Sequence, residues 1–365
     1  MTLNFPAVWQ LRGLLLVVGL WLPGWSARAT PELPDDFVNL SSDVQSVILE
    51  FMFFPEQANQ VWGQDLQVSS VYSLVKYLDD FHTQVRIDFD QGLIRIESRG
   101  SKTPIQSMRH AVEATLLTPA NPSDVDLYTA ADFGLTGKPF LAGKVVDQDG
   151  KPVEYAWRAQ RYADYLLAHR LQQSGDRYWL TIPMVRQFKQ VSARQYGSYV
   201  NAAANRYGVD PSLILAVIET ESSFNPFAVS PVGAYGLMQV MQRTAGKDVY
   251  EKIYQQSGHP SRDELFRPER NIDIGTAYLS ILGDRYLSGI IDPQKRLYCV
   301  IASYNGGAGN LFKTFNRDRR RAIDRINAMP ASQVYRTILT SHPSEESRNY
   351  LKKVSAAQSR YAAGG

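Results

Sequence analysis

The chain has 365 residues, 21% of them charged and 44% hydrophobic, with a net charge of +3 and a pI near 8.7. This length favours two domains, and the composition excludes a chain that is mostly disordered. One cysteine, Cys299, excludes a disulfide framework, and the five scattered histidines, His82, His110, His169, His259 and His342, have no metal-ligand spacing.

At the N-terminus Arg12 precedes the apolar run GLLLVVGLWL, and Ala27-Arg28-Ala29 follows. That order of basic, apolar and small residues reads as a signal peptide over residues 1–29, with an uncleaved anchor as the other reading. The apolar run is short for a membrane span.

From about residue 35 to 185 helical and strand patterns alternate. In VYSLVKYL, Val71, Leu74, Val75 and Leu78 share one face at helical spacing. QVRIDFDQGLIRIES alternates through Val85, Ile87 and Phe89, turns at Asp90-Gln91-Gly92 and returns, a β-hairpin. Thr103-Pro104 opens a helix towards Leu117. FLAGKVVDQDGKPVEYAWRA reads as a second hairpin turning at Asp149-Gly150. DYLLAHRL is helical and YWLTIPMV is a strand, so this half is α+β.

Beyond about residue 190 the strand patterns stop. ARQYGSYVNAAANRYG reads as a helix closed near Gly208, and Asp210-Pro211 opens another. Helical patterns follow near 243–256, 268–288, 293–304, 308–316, 318–328, 331–340 and 344–361. This half is all-α, and the short junction implies that the halves pack together. The basic cluster Arg317 to Arg321, broken by Asp318, reads as a solvated helix face rather than a nucleic-acid patch.

On the helix from Pro211, Glu221 continues the stripe of Ile214, Val217 and Ile218, whereas Glu219 lies about 200° away and faces outward. A carboxyl on a buried face must be paired or have a raised pKa. Two readings of Glu221 stand on spacing: a general acid, or a helix-end residue bonded to nearby amides. Glu219 reads as a solvated surface residue. The Gly- and Ser-rich run SSFNPFAVSPVGAYGLMQ, with Gly233 and Gly236, allows a ligand close to the backbone. In ASYNGGAGN the Gly306-Gly307 pair stops a helix and leaves Tyr304 at its end.

Four ordered blocks, ESSFNPFAVSPVGAYGLMQVMQRTA, NIDIGTAYL, ASYNGGAGN and EESRNYLKKV, resemble the catalytic domain of the soluble lytic murein transglycosylases, relatives of goose-type lysozyme. IDFDQGLIRIES, VDLYTAADF and ADYLLAHRL resemble the domain preceding it in the membrane-bound lytic murein transglycosylase C family. The resemblance implies a signal at 1–29, an α+β domain at 30–188 and an all-α, lysozyme-like catalytic domain at 189–365. It also implies a lyase that cleaves the MurNAc–GlcNAc bond of peptidoglycan without water, with Glu221 as its one catalytic acid and base. Ser230, Gln239, Met241, Tyr304 and Asn305 would line the glycan cleft, and Glu346, Arg348 and Tyr350 would close it. No cofactor, metal or nucleic acid is implied; the partner is the glycan strand, with peripheral membrane association left open. The family are lipoproteins, but no cysteine follows this signal, so the expectation is an exported, periplasmic enzyme, either released or held by an uncleaved signal. The rivals are a lysozyme-type hydrolase, with Asp248 or Glu251 as second acid, and a non-catalytic wall-binding protein.

Overall fold

The computed structural model describes residues 56–120 and 138–363. The N-terminal signal and the block VDLYTAADF lie outside the described residues. The stretch Gln57–Ser230 and the stretch from Ala234 onward belong to one compact unit.

A short helix α1 (Glu56–Trp62) leads into a meander of β1 (Ser73–Leu78), β2 (Thr83–Asp88) and β3 (Leu93–Arg99). Helix α2 (Pro104–Leu116) follows, then α3 (Ala156–His169), β4 (Gln172–Ser174) and β5 (Arg177–Pro183). The sheet is antiparallel throughout, in the order β1-β2-β3-β5-β4. Alternation puts Val85, Ile87, Ile94, Ile96, Leu180 and Ile182 on one face. Met108, Val112, Leu116, Ala159, Ala163 and Leu166 of α2 and α3 cover that face and complete the core.

Two sequence expectations fail in this half. VYSLVKYL is a strand, not a helix. Its spacing spans only two helical turns, which a strand buried on both faces also satisfies, and Ser73 through Tyr77 are all buried. Pairing with β2, from Ser73 opposite Asp88 to Leu78 opposite Thr83, decides the matter. The second hairpin also fails: its turn exists, with Gly150 N–H on Asp147 O, but Val146 and Pro152 form only an isolated bridge. The pairing stops at Val153 N–H on Val145 O and Asp147 N–H on Lys151 O, on either side of that bridge.

The second half is helical apart from the two-residue ladder of β6 (Ala234–Tyr235) and β7 (Val240–Met241). It opens with α4 (Phe188–Gln195), α5 (Gly197–Tyr207) and α6 (Pro211–Ser222). The single helix expected over 193–208 is thus two, broken at Tyr196, with Gly208 in the left-handed region as the stop. Asp210 caps α6 by accepting from Ser212 N–H, as its place before Pro211 implies.

A helical run of wide-turn and α pieces, Gln242–Gly246, Lys247–Val249 and Tyr250–Tyr254, forms α7. Next come α8 (Arg262–Leu265) and α9 (Pro268–Ile281), the latter continued by a wide turn at Leu282–Tyr286. The remainder is α10 (Pro293–Gly306), α11 (Ala308–Phe315), α12 (Arg319–Ala328), α13 (Ala331–Ser341) and α14 (Glu345–Ala363). Buried Tyr350, Leu351, Val354 and Ala357 give α14 an apolar stripe, and it packs along α6 and α10. Cys299 is buried in this core as a small apolar residue.

Candidate active site

Helix α6 is apolar from Leu213 to Ile218 and ends at Ser222. Ser222 is fully buried, and its hydroxyl donates to Ile218 O at 3.1 Å and Leu237 O at 2.8 Å. Ser223 and Phe224 then take left-handed φ of 49° and 65°, a costly reversal for residues with a Cβ. Asn225 stabilises that reversal: its Oδ1 accepts from Phe227 N–H, and its Nδ2 donates to Val71 O at 3.1 Å. The position of Glu221 is thereby fixed from both sides, by the following loop and by the entry to β1.

Glu221 lies on a cavity of about 210 Å³ lined also by Tyr72, Thr220, Asn305, Glu346, Asn349, Tyr350 and Lys353. Burial raises the pKa of Glu221 to about 8. The Tyr350 phenol opposes this rise and the negative charge of Glu346 adds to it. The Tyr350 hydroxyl stands against the Glu221 carboxyl, where as a donor it favours the anion. Burial and the Glu221 charge hold the Tyr350 and Tyr304 phenols well above the ordinary tyrosine range. Both stay neutral and can only donate or accept hydrogen bonds.

Tyr304, near the end of α10, donates to Met238 O at 2.8 Å. Met238 belongs to a tightly held loop. Its N–H donates to Asn271 Oδ1 at 2.8 Å, while Asn271 Nδ2 donates to Tyr235 O and Leu265 O, both at 2.8 Å. A Cβ on Gly236 would lie 2.4 Å from Asn271 Nδ2, and one on Gly275 would lie 2.6 Å from Met238 Sδ. The block NIDIG is thus a clamp under the loop.

The structure brings Glu221, Asn305, Glu346 and Tyr350 onto one cavity. Asn305 is oriented from both ends: its Nδ2 donates to Glu346 Oε1 at 3.0 Å, and its Oδ1 accepts from Ser347 Oγ at 2.7 Å. The other expected residues do not line this cavity. Ser230 Oγ accepts from Ala234 N–H at 3.0 Å. Gln239, at a left-handed φ of 48°, spends its amide on Gly236 O and Ala228 O. Met241 lies on β7, partly exposed, and Arg348 donates to His342 O.

Glu219 corrects the expectation of a solvated residue. Its side chain is only 15% exposed. Arg360 Nη2 lies 2.9 Å from one oxygen, and the Tyr361 hydroxyl donates to the other at 2.7 Å. The last turns of α14 cover that face of α6, which helical spacing within α6 alone could not reveal. Asp248 pairs with Lys252 and Tyr286, and Glu251 with Lys247; neither lines the cavity. The second carboxylate there is Glu346.

Tyr72, Thr220, Asn349 and Lys353 were not expected. Asn349 and Lys353 stand at i+3 and i+7 from Glu346, so helical spacing carried their signal. Tyr72 comes from the α+β half, where its hydroxyl donates to Thr220 O at 2.8 Å across 148 positions of sequence. Burial, with the Glu221 charge next, pushes its phenol up to about 12.

A family model described as "Membrane-bound lytic murein transglycosylase C, N-terminal domain" matches residues 42–222, and one described as "Transglycosylase SLT domain" matches 198–327. The chain is 46% identical over 314 residues to the membrane-bound lytic murein transglycosylase C of Sodalis glossinidius, covering 84% of this chain and 88% of that one. To the protein of the same name from Yersinia pestis it is 45% identical, covering 84% and 87%. A solved structure of the 70-kDa soluble lytic transglycosylase from Escherichia coli aligns over 46% of this chain and 24% of its own, at 29% identity and a TM-score of 0.36.

Proposed function

This chain belongs to the membrane-bound lytic murein transglycosylase C family, and we propose that Glu221 is the single acid and base of its reaction. The enzyme is a peptidoglycan lytic transglycosylase, a lyase. Its N-terminal part combines sheet and helices, and a helical catalytic domain follows; we set the division near residues 188 and 189.

Protonated Glu221 gives its proton to the oxygen between MurNAc and GlcNAc, and the bond from C1 to that oxygen breaks. The MurNAc N-acetyl carbonyl steadies the electron-poor C1. The C6 hydroxyl of the same sugar then attacks C1, and its proton passes to the Glu221 carboxylate. The products are a free GlcNAc 4-hydroxyl and a 1,6-anhydroMurNAc end, and Glu221 is again protonated. Because the nucleophile is intramolecular, proximity does the work that a second carboxylate does in two-acid glycosidases.

The observation that carries this reading is a carboxyl on a cavity, beside two neutral phenols, that keeps its proton up to about pH 8. Asn305, Glu346 and Tyr350 form the wall of the cleft on this reading. Ser230, Gln239, Met241 and Arg348 act as parts of its further rim and frame, and Tyr304 holds the loop at Met238. The relatives carry the description membrane-bound, which fits a place in the cell envelope. Export by residues 1–29 with cleavage after Ala29 is the finer form of the proposal.

Glu221→Gln keeps the shape and removes the proton donor. It should lower release of muropeptides from sacculi by at least about a thousandfold, a loss appropriate to a group that handles both proton transfers. Lysis at the wild-type rate by a folded Glu221→Gln protein would overturn the assignment.

A further inference from the structure

The α14 face that meets the cavity carries Glu346, Asn349, Tyr350 and Lys353, at i, i+3, i+4 and i+7. Two of these have evident work: Glu346 receives Asn305, and Tyr350 lies against Glu221. Lys353 is exposed and, among the described residues, has neither an ion pair nor a side-chain hydrogen bond. The acid coupled to it is taken. Asp90, with which Lys353 is electrostatically coupled, is held by Lys189 at 3.1 Å and Ser223 Oγ at 3.2 Å. Glu219 is held by Arg360 and Tyr361. A free ammonium therefore stands one helical turn along from Tyr350, on the wall of the cavity that holds Glu221.

The sugars of a murein strand are neutral. Its negative charge resides on substituents of MurNAc: the carboxylates of the attached peptide or, once the peptide is removed, the lactyl carboxylate. We propose that Lys353 is a specificity residue that receives a carboxylate carried by the MurNAc substituent, so that the enzyme favours strands that bear such a charge near the cleavage point. The proposal rests on the transglycosylase reading above. A lysine suits this task better than a fixed fork, because its mobile point charge tolerates a substituent that swings on a flexible arm.

The test compares wild type, Lys353→Met and Lys353→Arg on three substrates: native sacculi, sacculi whose carboxylates are capped as primary amides, and strands stripped of peptide by an amidase. On native sacculi Lys353→Met should lose roughly threefold to fivefold in kcat/KM, mostly in KM, with the loss shrinking as salt is raised. Lys353→Arg should keep most of the wild-type value. On capped sacculi all three proteins should be equal. Given the loss on native sacculi, which only peptide carboxylates can cause, a further loss on stripped strands shows that Lys353 also receives the lactyl carboxylate, and no loss there confines its ligand to the peptide. Equal rates for Lys353→Met and wild type on native sacculi, or the same loss on native and capped sacculi, would overturn the proposal. Failure of the underlying reading looks different, since wild type would then leave no anhydro ends on any substrate.

Discussion

At the scale of the residue, the consequences centre on one proton. Glu221 must be protonated to start the reaction, so kcat/KM should fall as pH rises through about 8. Glu346→Gln removes a like charge and should move that alkaline limb to lower pH. Tyr350→Phe removes a neighbour that favours the anion and should move it higher. Stability should change in the same direction, over a lower pH window. The folded pKa lies above the ordinary 4.5, so folding favours the protonated form, and stability is lost as pH rises from about 4.5 to about 8. Thermal melts of Glu221→Gln should therefore gain on wild type across that window and hold a constant lead above it. The apolar stripe of α6 made the inward placement of Glu221 legible in the sequence, but not the choice between an acid and a helix-end residue. The fate of Glu219 was not legible, because its hydrogen-bond partners stand more than 140 positions away on another helix and Lys189, at 3.8 Å, on an earlier one.

At the scale of the element, the loop Gly236–Met238 depends on a clamp from α9. Asn271→Ala would remove the side chain that bonds Tyr235 O, Leu265 O and Met238 N–H and should destabilise the protein by about 2–4 kcal/mol, read by denaturant unfolding. Activity should fall with it at temperatures where the protein stays folded, because Tyr304 loses a fixed Met238 carbonyl to bond. The helices of the second half were legible through their caps and stripes, with Asp210-Pro211 and Gly208 at their expected posts. The strand at Ser73–Leu78 was not, because eight residues cannot separate a helical period from a strand covered on both faces. Asp79, Asp80 and Phe81, all at positive φ, form the tight turn between β1 and β2.

At the scale of the whole molecule, the α+β half and the helical half share structure. Phe227, from the loop after Glu221, joins the sheet core and packs edge-on against Phe140 at 5.3 Å. Lys144 is buried nearby, with its ammonium nitrogen 2.6 Å from Phe140 O and 2.7 Å from Gln195 Oε1 on α4. Burial lowers its pKa to about 7. Folding therefore favours the neutral amine, and wild-type stability should climb by up to roughly 1.4 kcal/mol for each pH unit from about 7 towards the free-lysine value of 10.5. Lys144→Met should abolish that climb in denaturant unfolding. A profile unchanged by the substitution would show that Lys144 remains charged in the fold. Such cross-half contacts, like that of Tyr72 with Thr220, have no local pattern and leave no trace in the sequence. The central claim is that one carboxyl suffices because the substrate brings its own nucleophile, and it is tested most directly by digesting sacculi in heavy-oxygen water and weighing the muropeptides. The account predicts 1,6-anhydro ends without heavy oxygen, formed by wild type and absent with Glu221→Gln. Reducing MurNAc ends carrying the label as the main product would contradict it and mark Glu346 as the second acid of a hydrolase.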